Sequence, residues 1–205
     1  RLAEKFKEKV DTKEYLKARL VDIFLGDWDR HTDQWKWARF DSGQVSYWKP
    51  IPRDRDQVFA KWDGVGPTLA EYIVPQFVHF DYDYPQVEDL TWSGRHIDRR
   101  FLTELTKSEW DSVTTFVVSK LTDKIIEDAV MHLPSEHYQI VSSEIVNKLL
   151  SRRNQLKDYS NEYYTLINTV VDIYGTDKND IVEVNRLNDS LTEVKLLDLK
   201  KKSGR

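Results

Sequence analysis

The chain is expected to adopt an α+β fold in which helices predominate. Two observations predict it. Apolar residues recur at helical spacing over residues 12–25, 106–130 and 142–174, whereas two shorter stretches alternate side by side and enclose turn-forming residues. With 205 residues the chain is long enough for one well-packed domain with a small appendage. The change in character after the last helical stretch sets the expected division at 1–175 and 176–205.

In chain order, residues 1–10 read as a charged helical segment. Asp11-Thr12-Lys13-Glu14 resembles a capping box, and the helix after it carries Leu16, Leu20, Ile23 and Phe24 on one stripe before stopping at Gly26. Trp35, Trp37 and Arg39 then alternate with Lys36, Ala38 and Phe40. Turn chemistry at Asp41-Ser42-Gly43-Gln44 is followed by Val45, Tyr47 and Lys49 alternating with Ser46 and Trp48, which is a β-hairpin. Asp63 to Pro67 is a breaker-rich turn; its Gly64 and Gly66 lack the surroundings of a phosphate loop. Residues 68–100 predict a helix or short strands and then an acidic loop bearing Asp81, Asp83, Glu88 and Asp89, without the register of a calcium site. Thr106 to Glu109 is a second capping box, opening a helix with Trp110, Val113, Phe116, Val117 and Leu121 at core spacing. Thr122-Asp123 restarts a shorter helix with Ile125, Ile126, Ala129 and Val130, which stops before Pro134. Ser142-Ser143-Glu144 predicts the start of a long helix running to Tyr174, with Ile145, Leu149, Leu156, Tyr163, Leu166, Val170 and Ile173 inward and Gly175 as its C-terminal glycine. A terminal hairpin is expected on either side of Asn188-Asp189-Ser190, followed by a basic tail.

Composition narrows the function classes. A net charge of -4 argues against nucleic acid as a partner. With no cysteine there is neither a disulfide framework nor a thiolate zinc site. His79, His96, His132 and His137 show no paired spacing for a histidine zinc site. No apolar run approaches the roughly 20 residues that cross a bilayer, and no signal peptide is visible, so this piece carries no transmembrane segment of its own. The chain opens on Arg1 and is expected to be a piece of a larger protein.

Residues 25–64 hold the chemistry. Asp27, Asp29 and Asp33 precede the first hairpin and Asp54 and Asp56 follow it, so the hairpin should bring two acidic clusters together as a site for a divalent metal and phosphate. Asp29-Arg30-His31 with Gln34 resembles the D-R-H-x-x-N catalytic loop of atypical kinases, among them the phosphoinositide, HipA, secretory-pathway and CotH kinases. Ile51-Pro52-Arg53-Asp54-Arg55-Asp56 is similar to the I-P-W-D-x-D segment of CotH-like proteins, which stands where other kinases carry D-F-G. The resemblance implies a protein-kinase-like C-lobe that transfers phosphoryl groups from ATP with Mg²⁺ or Mn²⁺. Asp29, Arg30 and His31 would be catalytic, with Asp29 the base. Gln34 and Asp54 would face the cofactor, with Asp54, Asp56 and Gln34 on the metal. Gln34 stands where Asn is usual, which favours a non-catalytic scaffold or interaction module as the alternative. A metal-dependent phosphohydrolase built on the same aspartates lacks any recognisable motif.

Residues 1–28 read as helix, so the nucleotide-binding lobe is expected upstream of Arg1, together with other domains of the parent chain, or is absent altogether. The isolated piece is then expected to be inactive. Leu90-Thr91-Trp92, residues 98–102, Leu133-Pro134 and residues 174–178 also resemble a module of large bacterial envelope proteins. There it accompanies a calcineurin-like metallophosphoesterase and an outer-membrane β-barrel, which implies the cell envelope or periplasm; cysteine usage is equally compatible with cytoplasm.

Several of these residues have a structural alternative. His31 is a general base or a packed, hydrogen-bonded residue. Asp27 is expected to cap or to pair with Arg30. Asp54 and Asp56 either form a site or are surface charges balanced by Arg53 and Arg55. Arg99 and Arg100 either clamp a phosphate or, as expected, pair with Asp98 and nearby acids. Trp35, Trp37 and Trp48 should roof the core, packing on the helix that carries Leu16 and Leu20, rather than form a sugar platform.

Overall fold

A computed structural model of the chain describes residues 8–43, 45–61, 74, 77–173, 175, 179–189 and 191–198. The fold is α+β. Six α-helices are described: α1 (Thr12–Leu25), α2 (Val87–Thr91), α3 (Arg95–Leu102), α4 (Lys107–Lys120), α5 (Asp123–Val130) and α6 (Ser135–Asn168). The strands are β1 (Glu8–Val10), β2 (Trp35–Ser42), β3 (Val45–Pro52), β4 (Asp180–Asn188) and β5 (Leu191–Asp198), arranged as a sheet of order β1-β3-β2 and a separate β4-β5 ribbon.

Helix α1 is the centre of the core. The Asp11 carboxylate accepts a hydrogen bond from the Glu14 N–H at 3.1 Å, satisfying one of the unpaired donors of the first turn. At the other end Gly26 takes φ 76°, a left-handed conformation that glycine adopts without steric cost, and a Cβ there would meet the Phe80 ring at 3.0 Å. Leu16, Leu20, Ile23 and Phe24 are buried as their spacing predicts, and Tyr15 is buried with them. Arg152 of α6 donates to the carbonyls of Ile23 and Phe24 at 2.8 and 2.9 Å, placing a guanidinium against the negative end of the α1 dipole. Its plane also lies over the Tyr84 ring at 3.9 Å.

The first hairpin forms with Trp35 opposite Pro52 and Ser42 opposite Val45. Trp35 and Trp37 face α1, with ring centroids 4.8 and 6.0 Å from Tyr15, while Phe101 of α3 closes edge-on to Trp37 at 5.4 Å. Trp48 is half-buried on the same face, its indole N–H 3.4 Å from Glu8. Helix α4 opens with the complete capping box of Thr106 and Glu109, and Thr122 caps α5 through the Ile125 N–H. The indole of Trp110 donates to Ser160 Oγ at 2.8 Å, locking α4 onto α6.

Four expectations need correction. Residues 8–10 are a strand rather than part of a helix: they pair in parallel with β3, and the Asp11 N–H continues the ladder to the Trp48 carbonyl at 2.9 Å. A capping residue requires non-helical backbone at the helix entrance, and the open edge of β3 takes up the segment before it. The rest of that segment, residues 1–7, lies outside the described residues, as do the turn at 63–67, most of 68–76 and the tail from 199. Glu88 and Asp89 belong to α2, not to a loop. Helix α6 begins after Pro134, whose backbone suits a helix entrance, so Ser142 and Ser143 lie inside it. It ends at Asn168, where the Thr169 hydroxyl bonds the Leu166 carbonyl, and leaves Val170 and Ile173 exposed. Phe116 and Ile125, expected inward, are also exposed; the Phe116 ring is flanked by Lys17 and Lys120.

Candidate active site

The 27–34 loop and the segment after β3 meet at the open end of the first hairpin. Arg53 N–H donates to the Gln34 carbonyl at 2.9 Å, extending the ladder one pair beyond Trp35–Pro52. Arg30 is fully buried, donates to the Arg53 carbonyl and to the Asp27 carboxylate, and places its Nε 3.0 Å from Asp22. Asp27 therefore pairs with Arg30 as expected. Arg30 itself is an anchor: with no exposed surface it holds Asp29 and Asp54 at adjoining ends of the hairpin and cannot touch a substrate, in contrast to the catalytic role that the resemblance implies.

Behind this anchor the buried carboxylates of Asp22, Asp27 and Asp98 meet the buried guanidinium groups of Arg19 and Arg30, and the partly exposed Arg55 joins them from the surface. Arg55 reaches Asp22 at 2.9 Å, and Arg19 holds Asp98 through two hydrogen bonds of 2.8 Å, with the Tyr15 hydroxyl donating to Asp98 at 2.7 Å. Burial pushes the Asp22 carboxyl up, and Arg19, Arg30 and Arg55 pull it back. Two sequence expectations change here. Arg55 turns inward to Asp22 rather than balancing Asp54 or Asp56, and Asp98 turns inward to Arg19 rather than pairing with Arg99 or Arg100.

The remaining carboxylates stand differently. Asp29 is partly buried and its N–H donates to Asp27 at 3.3 Å. Its carboxyl is raised above the usual range, first by desolvation; His31 opposes the rise, the Asp27 and Asp56 charges add to it, and Arg30 opposes it. Asp56 is thus within electrostatic reach of Asp29. Asp54 and Asp56 are exposed, and neither has an ion pair among the described residues. Asp54 adopts φ 52°, in the left-handed region that Asp tolerates better than most residues, and the bulky Phe59 adopts φ 59° a few residues on. Its N–H bonds the Leu25 carbonyl at 3.3 Å, folding residues 53–60 back on the end of α1. His31 accepts from the Asp33 N–H through Nδ1 at 3.3 Å and begins the short 3₁₀ turn Thr32–Gln34. Gln34 is buried, and its side-chain oxygen has no hydrogen-bond partner among the described residues. Sequence reasoning missed Asp22, the acid on which three arginines converge. Tyr15, Arg19 and Asp22 share the buried stripe of α1 at spacings of four and three, and that was the available signal.

The chain matches none of the protein-family models, curated proteins or solved structures with which it was compared.

Proposed function

We propose that the chain is the catalytic lobe of a kinase-like phosphotransferase acting at the open end of the first hairpin. The supporting observation is the clasp of Arg30. It fixes the Asp29 loop to the backbone just before Asp54, while Asp29 and Asp56 stay within electrostatic reach of each other and neither forms an ion pair among the described residues. A carboxylate whose proton affinity is raised is the better base, so Asp29 suits removal of a proton from an accepting hydroxyl. In that step the hydroxyl oxygen bonds the γ-phosphorus, the bond from that phosphorus to the bridging oxygen breaks, ADP leaves, and the proton passes to Asp29.

Magnesium or manganese fits the donor set, since the exposed carboxylates of Asp54 and Asp56 and the unpartnered oxygen of Gln34 are all hard oxygen ligands. When bound, an ion held by Asp54, Asp56 and Gln34 would supply positive charge to neutralise the nucleotide phosphates. Arg30 and Arg55 position this segment from behind, and Gln34 fixes it through its backbone carbonyl.

Two observations favour the second reading, a non-catalytic kinase-like scaffold within a multidomain envelope protein. Gln34 replaces the usual Asn, and among the described residues no three His, Asp or Glu side chains are grouped to hold a metal ion. Magnesium commonly needs only one or two carboxylates beside substrate phosphates, so the first reading stands ahead. The deciding experiment is transfer of radiolabelled phosphate from ATP by the full-length protein with Mg²⁺ or Mn²⁺. Asp29→Ala or Asp54→Ala should each lower it at least about a hundredfold. Absence of transfer by the wild type, unrescued by Gln34→Asn, would establish the scaffold.

A further inference from the structure

The first hairpin has a second face. Trp35 and Trp37 turn inward, so alternation turns Lys36, Ala38 and Phe40 outward, with their register partners Ile51, Lys49 and Tyr47 beside them. Strand β1 adds Lys9, the register partner of Tyr47 on its other side. Phe40 is 52% exposed, Tyr47 36% and Ile51 46%, an apolar patch of the kind that marks a binding surface. We propose that this outer sheet face binds single-stranded nucleic acid, with bases stacked on Phe40 and Tyr47 and phosphates on the lysines. The inference does not rest on the phosphotransfer reading.

Charge sets the sign of the partner. Lys9, Lys36 and Lys49 share the face with one carboxylate, Asp11, whose Oδ1 accepts the Glu14 N–H and whose Oδ2 is 3.9 Å from Lys49. Lys9 and Lys36 have no ion pair among the described residues. Glu8 and Asp41 are both register partners of Ser46 and so lie on the other side, where Arg39 meets them at 3.6 and 3.1 Å. Asp54 and Asp56 come after β3 has ended at Pro52. The face therefore carries two uncompensated positive charges in a chain of net charge -4. A chain total averages over all faces, so it excludes a broad nucleic-acid footprint but not a local one.

The rings select among anions. Phe40 and Tyr47 stand directly opposite each other on neighbouring strands, and Lys49 Nζ lies 5.4 Å from the centre of the Phe40 ring. With Asp11, Ser42 and Lys49 they line a hollow of about 310 Å³, at the low end of small-molecule sites at roughly 300–1,000 Å³. A base can lie in this hollow against a ring while its phosphate reaches a lysine, and such stacking accepts any base. A duplex keeps its bases stacked on one another, and the flat surface of an anionic membrane does not enter a hollow. A single strand uses both the rings and the charge.

Fluorescence anisotropy with labelled ten-nucleotide strands of dT and of rU tests this, and the tighter of the two tells whether DNA or RNA is the ligand. A ten-base-pair duplex should bind at least about tenfold more weakly than the tighter strand. Phe40→Ala should weaken that strand about tenfold, the loss of one stacked base, while Phe40→Trp keeps a ring and should bind like wild type. Tyr47→Ala serves if Phe40→Ala fails to fold. Lys36→Gln should reduce the slope of log affinity against log salt by about 0.7, the value for one phosphate contact on a single strand. Lys124→Gln, which removes the same charge from α5, should leave the slope unchanged. The proposal is overturned if neither strand binds, if the duplex binds as tightly, or if the folded alanine variants bind like wild type. It is equally overturned if Lys124→Gln matches Lys36→Gln. Binding to phosphatidylglycerol vesicles with no binding of either strand overturns it in favour of a membrane surface.

Discussion

The chain contains two antiparallel hairpins of nearly equal length, β2–β3 and β4–β5, and they meet very different fates. In the first, β1 adds a third strand, and Trp35 and Trp37 are covered by Tyr15 and Phe101. The second is a two-stranded sheet that no other described strand joins. Val182, Val184, Val194 and Leu196 share one of its faces by register, yet Val182 and Val184 are more than half exposed and none of the four joins the core. Alternation therefore specifies pairing, while stability comes from what covers the paired face. A two-stranded ribbon on its own is marginal in water. The candidate catalytic loop hangs from the covered hairpin, whose ends a buried arginine also ties.

Breaking that tie should produce the largest effect. Arg30→Met leaves Asp27 and one side of Asp22 buried without their partner, and should cost about 3–5 kcal/mol in urea unfolding. Arg186→Met in the second hairpin, which removes an exposed 3.6 Å ion pair with Asp189 and an exposed 3.5 Å bond to its carbonyl, should cost less than about 0.5 kcal/mol. Equal losses would show that the arginine clasp does not distinguish the hairpins.

Hydrogen exchange sharpens the same contrast. Backbone amides paired between β2 and β3 should exchange at least about a hundredfold more slowly than those between β4 and β5, because opening the first hairpin uncovers the core. Comparable protection would mean that the second ribbon has a cover of its own.

The smallest effect concerns Asp29. Its carboxyl is raised in the folded state, so ionisation opposes folding at neutral pH; this cost disappears as pH falls through the folded value towards the unfolded 3.8. Asp29→Asn should thus stabilise slightly at pH 7, by about 0.5 kcal/mol or less given solvent screening, with the gain vanishing near pH 3. Thermal melts of both proteins at the two pH values check the sign. Destabilisation at pH 7 would mean that Asp29 makes a structural bond.

What could be read from the sequence was local. Helix entrances with their own capping side chains, at Asp11, Thr106 and Thr122, stand where the spacing predicts, and both hairpins follow from alternation around turn residues. The start of α6 did not, because Pro134 offers no capping side chain while Ser142-Ser143-Glu144 imitates one inside the helix. At the site, the loop, the hairpin and the Asp27–Arg30 pair are separated by few residues and were legible. The inward turns of Arg55 and Asp98 depend on partners 33 and 79 residues away, and neighbouring charges suggested the wrong ones. The burial of Arg30 belongs to the same class, being set by Asp22 on a helix and a carbonyl beyond the hairpin.

Arg152 has a mechanical consequence. Helix α6 has 34 residues and spans about 50 Å, and its grip on the carbonyls of Ile23 and Phe24 lies just before the loop that carries Asp29. The helix is fastened to α4 through Trp110 and Ser160 and to the last turn of α1 through Arg152, so a shift of α6 is passed to the backbone next to the Asp27–Asp29 turn.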